Sequence, residues 1–151
     1  MRFIAHRANL HGPNKQTENT IDAIVHAISL GFDCEIDVWF LGNTYWLGHD
    51  YPNTCISHEF LEEHRDHLWI HCKHLDSLLK LQNGFNCFYH DKDIYTITTK
   101  GYIWGNIGSP TNANVVQVMP EKSNVFSLDC LGICTDFPVH YRDIFIRSTI
   151  Q

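Results

Sequence analysis

Short apolar runs alternate with amphipathic stretches over the first half of the chain. A short apolar run that ends in polar, Gly or Pro residues is typical of a buried strand, whereas apolar side chains at i, i+3, i+4 and i+7 are typical of a helix. Ser57 is suited to cap one of these helices, and Asn19 or Thr20 another. The pattern predicts strands at 3–6, 34–40, 68–73 and 85–89, a hairpin run at 45–47, and helices that begin near 21, 58 and 75.

The second half carries apolar runs, at 102–104, 115–119 and 131–134, but few helical patterns. Strands that alternate with helices imply parallel pairing through right-handed crossovers, and therefore an α/β fold. A complete eight-stranded β/α barrel usually needs about 250 residues, and this chain has 151. We therefore predict a single domain over 1–151, a shortened TIM-type β/α barrel with about seven strands and some helices replaced by loops.

Composition narrows the class of protein. Apolar residues make up 44% of the chain and charged residues 19%, which is typical of a globular protein. A formal charge of -6 with 11 Lys and Arg argues against extended nucleic acid as a partner. The sequence shows neither a run long enough to span a membrane nor a signal peptide. Six scattered cysteines in mostly apolar runs predict buried thiols and a cytoplasmic location.

The first candidate site motif is His6-Arg7, which follows the first predicted strand. In a parallel barrel, the carboxyl ends of the strands carry the active site. An arginine offers a planar fork that suits phosphate oxygens, and a histidine can transfer protons near neutral pH. On its own this pair is common on protein surfaces, so it gains meaning only from what accompanies it.

The second motif is Glu35-Ile36-Asp37, inside an apolar run. Side chains at i and i+2 of a strand point to the same face, so the two carboxylates lie together. Burying them is costly without positive charge nearby, and a divalent cation suits carboxylate oxygens. Two alternatives remain: this face is the solvated side of an edge strand, or Arg7 neutralises the pair.

The third motif is His49-Asp50, after the hairpin. His49 could stand across the site from His6, which would give an acid and a base on opposite sides of a scissile bond. A single loop histidine is more often only exposed. The conjunction of three such motifs at predicted strand ends is what favours a catalytic site.

Together the motifs are Ile4-Ala5-His6-Arg7, Glu18-Asn19-Thr20, Glu35-Ile36-Asp37-Val38 and His49-Asp50. In this order they resemble the signature of the glycerophosphodiester phosphodiesterase (PI-PLC-like phosphodiesterase) superfamily. The run from Gly132 to Pro138 resembles the last barrel strand and exit loop of the same superfamily.

The resemblance implies roles for particular residues. His6 and His49 would perform acid-base catalysis, Arg7 would hold phosphate, and Glu35 with Asp37 would bind one divalent metal ion, usually Mg²⁺ or Ca²⁺. It also implies that a substrate hydroxyl attacks the phosphorus to give a cyclic phosphodiester, which water can then open.

The chain departs from the family pattern on the third predicted strand. His71 stands where the family usually has an acidic metal ligand, and Lys73 matches the family's lysine two positions later. If His71 is a ligand, the site favours Mn²⁺ or another transition metal such as Fe²⁺ or Zn²⁺; otherwise two carboxylates hold Mg²⁺ more weakly. Lys73 could bind phosphate or neutralise a carboxylate. Ala8 replaces the usual glycine after His-Arg.

Four further residues are candidates for the substrate pocket: Glu18, His90, Trp104 and Glu121. For the aromatic side chains, packing in the core or at the rim is an equally good interpretation. The short segment after His49 lacks the inserted region by which bacterial members of that superfamily recognise glycerol. The sequence therefore does not identify the alcohol portion of the substrate.

The sequence thus predicts a metal-dependent phosphoric diester hydrolase that acts on a small-molecule phosphodiester, namely a glycerophosphodiester or a sugar- or polyol-phosphate diester. One alternative is a lyase that releases the cyclic phosphate. Another is a catalytically silent domain that keeps the metal and phosphate pocket for binding only; retention of His6 and His49 argues against it, because binding needs neither an acid nor a base.

Overall fold

The computed structural model describes residues 1–123 and 125–150. It shows a mixed α/β fold in which ten strands form one curled sheet, with four α-helices. The strands are β1 (Arg2–His6), β2 (Asp33–Leu41), β3 (Thr44–Leu47), β4 (Thr54–Ile56), β5 (Leu68–Cys72), β6 (Cys87–Phe88), β7 (Tyr95–Ile97), β8 (Ile103–Gly105), β9 (Val115–Val118) and β10 (Gly132–Thr135). The helices are α1 (Ile21–Ser29), α2 (His58–His64), α3 (Leu75–Leu81) and α4 (Pro138–Thr149), and a 3₁₀ turn spans Pro120–Lys122.

The predicted helix caps are confirmed at two positions. The Thr20 hydroxyl accepts a hydrogen bond from the Ala23 amide at 3.3 Å, and the Ser57 hydroxyl accepts one from the Phe60 amide at 3.1 Å. Each bond satisfies a backbone donor that the first helical turn leaves unpaired. The chain therefore enters α1 and α2 where the sequence indicates.

Seven strands run parallel, in the spatial order β6-β5-β2-β1-β10-β9-β8. Strand β3 of the hairpin β3–β4 pairs antiparallel with the carboxyl-terminal part of β2, and β7 pairs antiparallel with β8. The carboxyl ends of the parallel strands lie along one edge of the sheet. Residues that end β1, β5, β9 and β10 can therefore face a common site.

The predicted TIM-type barrel is wrong, and so is the total of about seven strands. The sheet is a curled half-barrel: within the described residues, β6 pairs only with β5, and the opposite end is the antiparallel strand β7. A TIM barrel repeats eight parallel strands, each followed by a helix. Here the described chain has no α-helix between α3 and α4, and β6 to β8 are too short to supply a closing ladder.

The two faces of the sheet bury different sets of side chains. The convex face packs aliphatic residues such as Ile36 and Val38 against helical residues such as Ile24 and Leu61. The concave face buries a second cluster from six strands, made of Ile4, Trp69, Phe88, Trp104, Val116 and Cys134. The side chains of Glu35 and Asp37 alternate with the convex-face residues of β2 and therefore point towards the concave side.

No described helix has both the length and the apolar character that crossing a membrane requires. All six cysteines are free thiols, and Cys55 alone is exposed, so the prediction of buried thiols is confirmed for the other five.

Candidate active site

Three neighbouring strands bring the predicted metal ligands together. His6 pairs in register with Glu35 across β1 and β2, and Asp37 pairs with His71 across β2 and β5. Opposed side chains on one face of a sheet lie about 5 Å apart. Both carboxylates are buried, so the solvated edge-strand alternative does not hold.

Glu35, Asp37 and His71 form the one group of this kind, among the described residues, whose donor atoms could hold a metal ion. The Nδ1 atom of His71 lies 3.1 Å from an Asp37 oxygen and 4.0 Å from a Glu35 oxygen, and all three donors lie within 4.8 Å of one another. Metal–ligand bonds of about 2.0–2.6 Å allow such separations. Two carboxylates and one imidazole therefore fit a divalent cation.

The chain's own basic groups also surround Asp37. The Arg7 Nε lies 3.5 Å and the Lys73 Nζ 3.2 Å from its oxygens, and the Asn19 amide donates to it at 2.9 Å. Burial raises the pKa of Asp37, but the His71 hydrogen bond and the Lys73 charge outweigh it and leave that pKa lowered. Asp37 is thus held as a carboxylate.

The negative charge of Glu35 is less well compensated by neighbouring groups than that of Asp37. Burial, and then the adjacent Asp37 charge, raise the pKa of Glu35, against the lowering effects of His6 and His71. Among the described residues, its carboxylate accepts one hydrogen bond, from the Arg7 backbone amide at 3.1 Å. A second positive charge at this position would therefore stabilise the ionised pair.

His6 is oriented by a carboxylate that the sequence analysis did not assign to the site. Its Nδ1 lies 2.8 Å from Asp136, which Asn9 also holds through a 2.9 Å hydrogen bond. Burial lowers the pKa of His6, but the Asp136 hydrogen bond and the Glu35 charge outweigh it, so that pKa is raised. The available signal was position: Asp136 follows β10, the neighbour of β1.

The turn after β1 has two residues with left-handed backbone conformations. Arg7 and Ala8 have φ of 51° and 63°, a region that L-residues seldom adopt. The turn points the Arg7 guanidinium towards Asp37 and lets Glu18 accept a 3.2 Å hydrogen bond from it. Glu18 therefore holds Arg7 in place and does not line the cavity.

The turn after β3 presents His49 to the site. The turn is tied to β2 because the Gly48 amide donates to the Asp37 carbonyl at 3.2 Å and the Trp39 indole donates to the Gly48 carbonyl at 2.6 Å. The Nδ1 of His49 lies 2.7 Å from Asp50. His49 thus has its own carboxylate partner, as His6 does.

A cavity of about 440 Å³ opens at this edge of the sheet. One side is an aromatic wall, in which the His71 ring stacks on Phe88 at 5.3 Å and on His90 at 5.0 Å, with Trp104 packed 4.7 Å from Phe88. The predicted residues that line the cavity are His6, Arg7, Glu35, Asp37, His49, His71, Lys73, His90 and Trp104.

Glu121 does not line this cavity. Its two carboxylate oxygens accept hydrogen bonds from the Thr135 hydroxyl at 2.8 Å and from the Asp136 amide at 3.0 Å. Its neighbour Lys122, which the sequence analysis did not single out, lines the cavity instead.

Comparison of the chain with models of protein families, with curated proteins and with solved structures finds no match. Any functional conclusion therefore depends on the geometry of this cavity and on the motifs that line it.

Proposed function

We propose that the protein is a metal-dependent phosphodiesterase, a phosphoric diester hydrolase related to the glycerophosphodiester phosphodiesterases, which cleaves a small phosphodiester by histidine acid-base catalysis. The observation that carries the proposal is the convergence of Glu35, Asp37 and His71 beside His6 in one cavity. Its substrate would be a glycerophosphodiester or a sugar- or polyol-phosphate diester. The free thiols support the proposed cytoplasmic location.

Arg7 and Lys73 would bind the phosphate group. Both line the cavity and both lie against Asp37, so their positive charges are concentrated beside the candidate metal ligands. Charge-assisted hydrogen bonds from these groups would stabilise negative charge on the phosphoryl oxygens. A divalent ion held by Glu35, Asp37 and His71 would polarise the same oxygens as a Lewis acid.

The two histidines would move protons. One imidazole removes the proton from a substrate hydroxyl, whose oxygen forms a new bond to phosphorus, and the other protonates the leaving alcohol as its bond to phosphorus breaks. Asp136, which is buried, lies 2.8 Å from the His6 Nδ1 and would hold that ring in position, whereas Asp50, 2.7 Å from the His49 Nδ1, is exposed. Water would then open the cyclic diester by the reverse proton transfers.

The imidazole of His71 affects which metal ion the site prefers. A nitrogen donor favours Mn²⁺, Fe²⁺ or Zn²⁺ over Mg²⁺ and Ca²⁺, which prefer oxygen. Stacking on Phe88 and His90 restrains the ring with Nδ1 directed at the carboxylates. We therefore propose Mn²⁺ or a similar ion as the best cofactor.

Phosphorus NMR tests the proposal. The protein would be incubated with glycerophosphocholine, glycerophosphoinositol and a sugar-phosphate diester, each with Mg²⁺, Ca²⁺ or Mn²⁺. Accumulation of a phosphomonoester supports the hydrolase, whereas a cyclic phosphate that persists identifies a lyase. If no diester is consumed although Mn²⁺ binds, the enzyme proposal is wrong.

One observation favours a second candidate, the catalytically silent binding domain. Arg7, His71 and Lys73 lie within 3.5 Å of the Asp37 oxygens, so the chain can neutralise this carboxylate with its own charges. Such a network could bind a phosphorylated partner without turnover. Under this alternative, replacing His49 would leave binding of inorganic phosphate unchanged and there would be no activity to lose.

A further inference from the structure

The cavity contains a third cation, Lys122, at a distance from the other two. Arg7 and Lys73 are both engaged with carboxylates. Lys122 is exposed, lines the cavity, and forms no ion pair with any carboxylate in the described part of the chain. Of the lysine and arginine side chains that line the cavity, Lys122 is therefore the one without a carboxylate partner among the described residues.

The backbone that carries Lys122 is strained and firmly held. Met119, just after β9, has φ of 49°, a conformation that is unfavourable for a non-glycine residue, and its amide donates to the Cys134 carbonyl at 2.7 Å. Pro120 is buried, and Glu121 is fixed by its two hydrogen bonds to β10 and to the residue that follows it. The Lys122 amide then donates to the Met119 carbonyl at 2.9 Å. The turn thus presents Lys122 at a defined place on the rim.

The turn that carries Lys122 packs on the end of β10, and β1 lies between β10 and β2, the strand that carries Glu35 and Asp37. Two strand spacings therefore lie between this turn and β2, about 10 Å along the curled sheet. A phosphate group that contacts Glu35, Asp37 and Arg7 would therefore be separated from the Lys122 ammonium. A ligand that forms charge-assisted hydrogen bonds at both places carries two anionic groups.

We propose that Lys122 is a specificity residue that binds a second anionic group, a carboxylate or phosphomonoester, on the alcohol portion of the substrate. This inference rests on the proposed function, because it assigns the scissile phosphodiester to the part of the cavity beside the candidate metal ligands. It narrows the substrate class from phosphodiesters in general to those with a further negative charge several bonds from the phosphorus.

A matched pair of product-like probes tests the proposal by calorimetry in the presence of Mn²⁺. 3-Phosphoglycerate and glycerol 3-phosphate differ in that a carboxylate replaces a hydroxymethyl group. The wild type should bind 3-phosphoglycerate about tenfold more tightly, since a charge-assisted bond adds that much. In Lys122→Ala the ratio of the two affinities should fall to about one, and in Lys122→Arg most of the preference should remain.

Lys100→Ala is the control, because Lys100 is an exposed lysine outside this cavity; its ratio should equal the wild-type ratio. A wild type without preference, or a preference that survives in Lys122→Ala, overturns the proposal. Because neither probe is a diester, the result does not depend on turnover. If the ratio changes as expected but no diester is cleaved, the Lys122 site stands and the hydrolase proposal fails.

Discussion

Asp33 and Asp37 lie on the same face of β2, and each is held by an arginine and a histidine. Asp33 contacts Arg2 at 2.9 Å and His67 at 3.1 Å. Asp37 contacts His71 at 3.1 Å and Arg7 at 3.5 Å. The two ends of β2 therefore carry ion-pair networks made of the same residue types. The amino-end network consists of Asp33, Arg2 and His67, and the carboxyl-end network consists of Asp37, Arg7 and His71.

Burial and the second carboxylate distinguish the two networks. The side chains of Arg2 and His67 are 43% and 50% exposed, whereas those of Arg7 and His71 are 18% and 17% exposed. Water screens the first network, so it contributes little beyond local structure. The second places Glu35 beside Asp37 out of water, where an added cation has most to gain. The comparison shows that charge type alone does not distinguish a structural cluster from a candidate site.

The largest expected effect is on rate. His49→Ala should lower the rate of diester cleavage by about 10² to 10⁴, the usual contribution of a general acid or base, and should leave Mn²⁺ affinity unchanged. Steady-state kinetics and calorimetry on the same preparation check both halves. His67→Ala, in the amino-end network, is the matched control and should keep the wild-type rate. Equal rates for the two variants would remove His49 from the mechanism.

The next effect is on metal affinity. Glu35→Gln and Asp37→Asn should each weaken Mn²⁺ binding by about 100-fold, because each removes a charged oxygen donor. Asp33→Asn changes the same residue type on the same strand and should bind Mn²⁺ as the wild type does. Calorimetric titration compares the three, and circular dichroism verifies that each is folded. Normal Mn²⁺ binding by both carboxylate variants at 35 and 37 would show that the site is assigned wrongly.

A smaller effect is expected on metal preference. His71→Asp converts the nitrogen donor to oxygen and should shift the ratio of Mn²⁺ to Mg²⁺ affinity towards Mg²⁺ by about tenfold. Competition titrations measure the ratio. An unchanged ratio would mean that His71 orients the carboxylates without binding the ion.

The smallest effect belongs to the amino-end network. Arg2→Ala should lower the free energy of unfolding by about 1 kcal/mol or less, because the arginine end of its ion pair with Asp33 is 43% exposed and is screened by water. Denaturant unfolding measures this, and Mn²⁺ affinity should not change. A much larger loss of stability would indicate that the two networks are more alike than their exposure suggests.

Local rules predicted much of the first half of the molecule. Period-two alternation placed Glu35 and Asp37 on one face of β2, and capping chemistry placed the start of α1 after Asn19 or Thr20, of which Thr20 is the cap. Both depend on neighbouring residues only. Sequence order also indicated that His6, Glu35 and His71 end up together, since adjacent parallel strands have their carboxyl ends at one edge.

Features of the fold that depend on pairing between segments distant in the sequence could not be predicted. The direction of β7 and the open end at β6 cannot be inferred from apolar runs of two or three residues, which look alike in parallel and antiparallel strands. Helix α4 was missed because its apolar residues lack a clear helical spacing. Glu121 and Lys122 are adjacent, and the hydrogen bonds that hold Glu121 against Thr135 and Asp136 join segments distant in the sequence, while Lys122 lines the cavity.

An anomalous difference map from a crystal soaked in Mn²⁺ tests the central claim most directly. The account predicts one strong peak bonded to oxygens of both Glu35 and Asp37, with the His71 Nδ1 as the third protein donor. A peak elsewhere, or an empty position between those carboxylates at saturating Mn²⁺ while Lys73 keeps its contact with Asp37, would contradict it.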